Sequence, residues 1–312
     1  MNPSRPLRIG TRGSLLAVTQ SGWVRDRLAE AGAPGELVII KTTGDHIQDR
    51  PLREVGGKGL FTKELEEALL RGDIDLAVHS LKDVPSELPK GLTLGAIPRR
   101  EDPRDLLVTR DPSIRSIMDL PQGATVATGS LRRRAQLKHH RPDLNVVALR
   151  GNVDTRLRKL REGADGIEAI ILAAAGVNRL GLQIPEAVPI PTELLLPAIG
   201  QGALALECSI DAHELETALL AIHDTPTATC VAAERELLER IGGDCSTPLA
   251  GHAVLVGSDV HLTGLICGPD GDPWIQETLV SPGAYARRTG GALAEHLLKA
   301  GGAAVLDALR GR

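Results

Sequence analysis

Apolar residues in this chain fall into short blocks whose spacing alternates between strand-like and helix-like. Leu7-Arg8-Ile9 reads as a short strand, and the positions from Ser14 to about Ala31 recur at helical spacing on one face. Glu36 to Thr42 predicts a second strand, Thr62 to Arg71 a helix, and Ile74 to His79 a buried strand. The resulting β-α-β-α-β order predicts a largely parallel sheet with helices on its faces.

The order then repeats. Asp105 to Thr109 and Ala124 to Ala127 predict strands, Ser130 to His140 a helix and Asn145 to Leu149 a strand. Asn152 to Glu162 predicts a helix and Ile167 to Leu172 a strand. The last part differs: a helix from about Thr229 to Arg240 stops at Gly242-Gly243, and a strand lies near His252 to Val256. A hairpin of Val260 to Cys267 and Trp274 to Val280 turns at Pro269-Asp270-Gly271, before a C-terminal helical stretch. Arg99 to Asp105 and Glu193 to Gly202 read as two crossings between the first two units. The expectation is α/β: two lobes, residues 1–99 with 200–220 and residues 100–199, with a cleft between them. A smaller α+β domain over 221–312 completes it.

Composition narrows the class. The chain has 312 residues, 42% of them hydrophobic and 24% charged, as ordinary globular domains do. With two Trp, one Tyr and one Phe, the cores must be filled by aliphatic side chains. The start Met1-Asn2-Pro3-Ser4-Arg5-Pro6 has no apolar run, and the stretch around Ile170 to Val177 is too short to span a bilayer. A cytoplasmic protein without membrane contact is expected. Cys208, Cys230, Cys245 and Cys267 are widely spaced and suggest neither disulfides nor a metal site. A net charge of −4 argues against a nucleic-acid partner. Yet Arg132 to Arg161 holds eight Arg and two Lys against only Asp143 and Asp154, which needs its own explanation.

Several motifs carry candidate chemistry. Thr11-Arg12-Gly13-Ser14 and Thr128-Gly129-Ser130 are strand-to-helix junctions, whose hydroxyls and backbone N–H groups suit an anion or simply cap a helix. Arg132, Arg133 and Arg134 sit in a first helical turn, where the helix dipole disfavours cations. An anionic ligand would supply the missing negative charge; a solvated basic face is the alternative. Arg150-Gly151-Asn152 to Arg156 is a further cationic helix start. Lys82 and Asp83 follow a buried strand on a loop that Pro85 keeps from becoming helical. Asp83 is then either a functional carboxylate or the ion-pair partner of Lys82. Val55 to Phe61, with Lys58 and Phe61, reads as a glycine-rich mobile lid.

Taken in order, these stretches resemble the hydroxymethylbilane synthase (porphobilinogen deaminase) family over nearly the full length. The resemblance rests on Arg8 to Ser14, Gly56 to Phe61, His79 to Pro85, Arg100 to Asp105, Ser130 to Arg133, Leu149 to Val153 and Leu196 to Gly202. It implies lobes like those of periplasmic binding proteins and a third domain whose loop cysteine, here Cys245, holds a covalent dipyrromethane, one per chain. It implies that four porphobilinogen units are joined to that group with loss of ammonia, and that water releases the linear tetrapyrrole. On this resemblance Asp83 is catalytic. Cys245, Lys82, Asp83, Thr128, Ser130, Arg132, Arg133, Arg150 and Gly151 hold the cofactor. Arg12, Ser14, Arg150 and Arg156 hold substrate, and a monomer is expected. Two departures stand out: Asp244 separates Gly242-Gly243 from Cys245, and Gly129 stands where the family commonly has serine. The rival readings are a non-catalytic two-lobed anion sensor and an RNA binder; the latter lacks aromatic residues among its arginines.

Overall fold

The computed structural model describes residues 5–46, 59–243 and 247–310. Its strands are β1 (Leu7–Thr11), β2 (Gly35–Ile39), β3 (Leu76–Ser80), β4 (Leu92–Ala96), β5 (Asp105–Thr109), β6 (Thr125–Ala127) and β7 (Asn145–Val147). They continue with β8 (Ala169–Ala173), β9 (Ala187–Pro189), β10 (Leu204–Ser209), β11 (Leu249–Val256), β12 (Asp259–Cys267) and β13 (Trp274–Pro282). The main helices are α1 (Leu15–Glu30), α2 (Lys63–Leu70), α3 (Leu131–His140), α4 (Val153–Glu162) and α5 (Ala174–Arg179). After them come α6 (Glu216–Ile222), α7 (Thr225–Ile241), α8 (Ala286–Leu297) and α9 (Ala303–Arg310).

Two compact units emerge: Met1–Glu101 with Gly202–Thr229, and Asp102–Gln201 with Cys230–Arg312. The last of these divisions along the chain falls inside α7.

In the first unit a five-stranded sheet runs β2-β1-β3-β10-β4. β1 is parallel to β2 and β3, while β10 lies antiparallel to both β3 and β4. The sheet buries both faces. Ile9, Leu76, Val78 and Leu206 pack with Val24 and Leu28 of α1 and with Ala218 and Leu219 of α6. Ala77 and Ile74 pack with Leu65, Ala68 and Leu69 of α2. Each fully buried aliphatic side chain contributes roughly 1.5–3 kcal/mol, which is how so few aromatic residues suffice.

The second unit carries two sheets. One repeats the first topology in the order β7-β6-β8-β5-β9, three parallel strands followed by the reversed β5. The other is the antiparallel meander β11-β12-β13, covered by α7 and α8 through Leu237, Leu262, Ile266, Leu293 and Leu297. Glu234 of α7 is fully buried, and its two oxygens accept from Gly200 N (2.7 Å) and Ala253 N (2.8 Å). The α/β class with a smaller α+β part is thus the one observed. The reversed strands β5 and β10, and the short β4 and β9, are the details that local pattern does not reveal.

Candidate active site

In the first unit the parallel strands β1 and β3 deliver their C-terminal ends to one edge, where open α/β sheets place ligands. There Arg12, Ala17, Gln20, Phe61, Thr62, Val78, His79, Ser80 and Asp83 line one pocket. Strand β3 ends at Ser80 and passes into a single 3-10 turn, Leu81–Asp83, closed by Val84 N donating to Leu81 O. Val84 is extended, as Pro85 demands, and this turn holds Lys82 and Asp83 in a partly buried position. Gln20 of α1 and Ser80 bond to each other at 3.1 Å across the pocket floor. The Arg12 guanidinium lies 4.1 Å from the Phe61 ring centroid, a cation–π contact that presents the cation to the pocket. Phe61, expected in the lid, lines the pocket with its ring against the Arg12 guanidinium, and Lys58 lies outside the described residues. Ser14 caps α1, its hydroxyl accepting from Ala17 N at 3.3 Å.

The second unit builds a cationic site around the start of α3. Thr128 N donates to Val147 O, and the Thr128 hydroxyl accepts from Ser130 N at 3.2 Å. Ser130 caps α3 by accepting from Arg133 N. An added Cβ at Gly129 would come within 2.9 Å of Leu149 O, so a serine would not fit here without a backbone shift. Arg132 and Arg133 are 5% and 6% exposed. Part of the negative charge that these cations require comes from the chain itself. Asp105, fully buried at the start of β5, accepts from Arg132 Nη2 at 2.8 Å, Arg133 Nη2 at 2.7 Å and Gln201 Nε2 at 2.9 Å. Burial alone would raise the Asp105 carboxyl, but the two guanidiniums hold it well below the usual carboxylate range. Arg132 also donates to Leu196 O and Arg133 to Ile171 O, so neither arginine is a solvated surface group.

One carboxylate against two guanidiniums leaves positive charge over, and a donor too. Arg133 Nε is buried with no hydrogen-bond partner among the described residues. Nearby, Arg156 donates to Gly151 O at 2.8 Å. Its guanidinium is lowered to about 10, first by burial and then by the charges of Arg133 and Arg150. Gly151 has φ +111°, and a Cβ there would meet the Thr155 side chain at 2.7 Å; only glycine permits this approach. Crowded cations and an orphaned buried donor are what an acidic ligand would relieve, so these residues fit a group that bears carboxylates. Sequence reasoning missed Asp105, Gln201, Gln20 and Ser80 as site residues. For Asp105 a signal existed: an acid opening an apolar strand must be paired when buried.

Cys208, Cys230 and Cys267 are buried in β10, α7 and β12. Burial pushes the Cys267 thiol up to about 12 and raises Cys208 as well. Cys245 lies outside the described residues. Among the described residues there is no cluster able to hold a metal ion, and no helix is long and apolar enough to cross a membrane.

Comparison with known proteins agrees along the whole chain. Residues 7–217 match the porphobilinogen deaminase dipyromethane cofactor binding domain, and residues 228–299 match the porphobilinogen deaminase C-terminal domain. The chain is 52% identical to the porphobilinogen deaminase of Syntrophotalea carbinolica, covering 98% of this chain and 96% of that one. It is 50% identical to that of Trichlorobacter lovleyi, covering 98% and 97%. Among solved structures, the methionine binding protein MetQ is similar at 13% identity with a TM-score of 0.43, over 70% of this chain and 90% of that one. The fold assignment rests on the strand orders above rather than on that match. Two family domains in the right order and half-identical relatives of the same length leave one reading: the chain belongs to the porphobilinogen deaminase family.

Proposed function

We propose that the Asp83 pocket and the Arg132–Arg156 site are the working parts of a hydroxymethylbilane synthase, acting with a dipyrromethane attached through a thioether at Cys245. The activity is the family's: a transferase that joins porphobilinogen units with loss of ammonia and releases a linear tetrapyrrole. The non-catalytic anion sensor is not favoured, since it assigns nothing to the C-terminal family domain. When bound, the dipyrromethane supplies the pyrrole end to which units are added.

The chain's own residues divide the work. Arg12, with Arg150 and Arg156, grips substrate carboxylates, and the hydroxyl of Ser14 can donate to one while still capping α1. Arg132, Arg133, Lys82, Thr128, Ser130 and the Gly151 backbone hold the carboxylates of the cofactor. Loss of ammonia breaks the substrate C–N bond, the electron pair leaves on nitrogen, and the remaining methylene is cationic. The Asp83 carboxylate stabilises that charge and accepts from the pyrrole N–H. Lys58, with Phe61, would close over the substrate. The observation that carries this reading is the buried, unpartnered Arg133 Nε within a cluster of arginines. Burial of Cys208, Cys230 and Cys267 supports Cys245 as the attachment point, because a buried thiol is hard to reach and burial also raises the thiol pKa of Cys208 and Cys267. Buried thiols also suit a reducing compartment, so we place the protein in the cytoplasm, as a monomer. Three separate sheets support a three-domain division at 1–99 with 200–220, 100–199 and 221–312. The test is direct. The purified protein should give a pyrrole chromophore with an acidic aldehyde reagent and carry a dipyrrole mass adduct. Bare polypeptide that colours with nothing and leaves porphobilinogen unconsumed would reject the reading.

A further inference from the structure

Behind the Asp83 pocket, between the sheet and α2, lies a set of ionisable groups that the proposed chemistry does not use. His79 Nε2 and Glu207 Oε2 are 2.9 Å apart in the interior, on the neighbouring strands β3 and β10. Glu66 projects from α2 and is 8% exposed, while Glu207 is fully buried. Glu66 Oε1 and Glu207 Oε1 are buried with no hydrogen-bond partner among the described residues, and the Thr62 hydroxyl is buried beside Glu66. Two carboxylates and one imidazole thus share a buried layer, and each carboxylate keeps one oxygen idle among the described residues. Leaving both carboxylates ionised there would be costly, because an unsatisfied charge in a low-dielectric layer repels its neighbour and lacks solvation.

We propose that Glu66 is a positioning residue that carries a proton in the working enzyme, and that its charge state sets the potential beneath the pocket and so tunes the pocket's hold on anionic substrate. The cluster reaches the pocket through two of its own members, since His79 and Thr62 both line it beside Arg12 and Asp83. With Glu66 neutral, the layer carries one negative charge fewer below Arg12. With Glu66 ionised, an extra negative charge opposes the incoming carboxylates. Among the described residues, few groups face Glu66. His79 comes from β3 and Glu207 from β10, Thr62 precedes α2, and α2 itself brings Glu64, whose carboxylate accepts from Thr43 N at 2.8 Å. Of the other strands packed against the α2 core, β4 brings no titratable side chain and β2, which packs through Val38, brings only the exposed Glu36. Burial pushes the Glu66 carboxyl above the ordinary carboxylate range and Glu207 adds to this, outweighing Thr62 and His79. The proposal rests on the reading of this pocket as the place where substrate meets Arg12 and Asp83.

The experiment compares wild type with Glu66→Gln, which keeps the shape and is always neutral, across pH. A carboxyl raised on folding makes stability fall as pH climbs from the unfolded glutamate value of about 4.3 to the folded one, and the fall then ends. The melting-temperature difference between Glu66→Gln and wild type should therefore grow from pH 4 to pH 8. In kinetics, wild-type kcat/KM should decline roughly ten- to twenty-fold as pH rises through the raised folded value of Glu66, the scale of one unit charge about 10 Å away at an effective dielectric near 20. Glu66→Gln should lack that limb. A melting-temperature difference that does not change with pH overturns the bound proton, whether or not substrate uses the pocket. A proton confirmed by stability, with the kinetic limb intact in Glu66→Gln, overturns the coupling. A pocket that takes no substrate would instead leave Asp83→Asn fully active, and that result overturns the coupling as well.

Discussion

Asp83 and Asp105 are both aspartates near strand ends, yet their surroundings give them opposite work. Asp83 sits partly exposed in a pocket wall with Arg12. Asp83→Asn keeps the volume and removes the charge, so turnover should fall on the order of a hundredfold while the melting temperature barely moves. Single-turnover assays with porphobilinogen check the first point and calorimetry the second. Asp105 is wholly buried between two guanidiniums, and its loss strands both. Asp105→Asn should cost about 3–5 kcal/mol in denaturant unfolding, the range for breaking one side of a buried ion pair. The sign of its pH dependence follows from its lowered carboxyl. The stabilisation is complete above the unfolded aspartate value of about 3.9 and is lost as pH falls below it toward the lowered folded value. Wild type should therefore lose stability below about pH 4 by an amount that Asp105→Asn does not show.

At the scale of elements, helix α3 combines two requirements. Its first turn needs an acceptor for the orphan N–H groups, met by Ser130, and relief from the cations Arg132 and Arg133, met in part by Asp105. Ser130→Ala would remove the cap and cost about 1 kcal/mol. Ser130→Asp separates folding from binding. Aspartate caps as well as serine and favours the helix dipole, so stability should hold or rise. Its charge also occupies arginine donors proposed for the cofactor, so intact-mass spectra should show a lower fraction of protein carrying the dipyrrole. Full loading in Ser130→Asp would place the cofactor away from the start of α3.

At the scale of the whole molecule, the proposal needs one reactive cysteine among four. Cys208, Cys230 and Cys267 are locked into strands or a helix and serve packing. Cys245→Ser should therefore be isolated as bare polypeptide, and serine at any of the other three should leave the mass adduct in place. An adduct surviving in Cys245→Ser would move the attachment site. The repeated topology gives this scale its logic. Each five-stranded sheet sets two parallel βα ends side by side, and each of those edges carries a proposed binding element: Arg12 and Asp83 in one, Thr128 and Ser130 in the other.

The alternating strand and helix periods, the N-caps Ser14 and Ser130, the Pro85 turn and the hairpin at Pro269-Asp270-Gly271 are local features, each set by a few neighbouring residues. They were legible in the chain, and the motif order pointed to the family before any coordinates. What only tertiary structure decided is non-local. Strands β5 and β10 run against their neighbours because each enters its sheet from a crossing, and no period records direction. Asp105 meets Arg132 and Arg133 across 27 and 28 residues, and Glu66 meets the Glu207–His79 pair from another element, whose own partners are 128 residues apart. Runs of arginine look alike in a sequence whether solvated or buried. Folding places a carboxylate beside some of them and leaves Arg133 Nε without one, because burial and charge pairing depend on distances that the chain order does not contain.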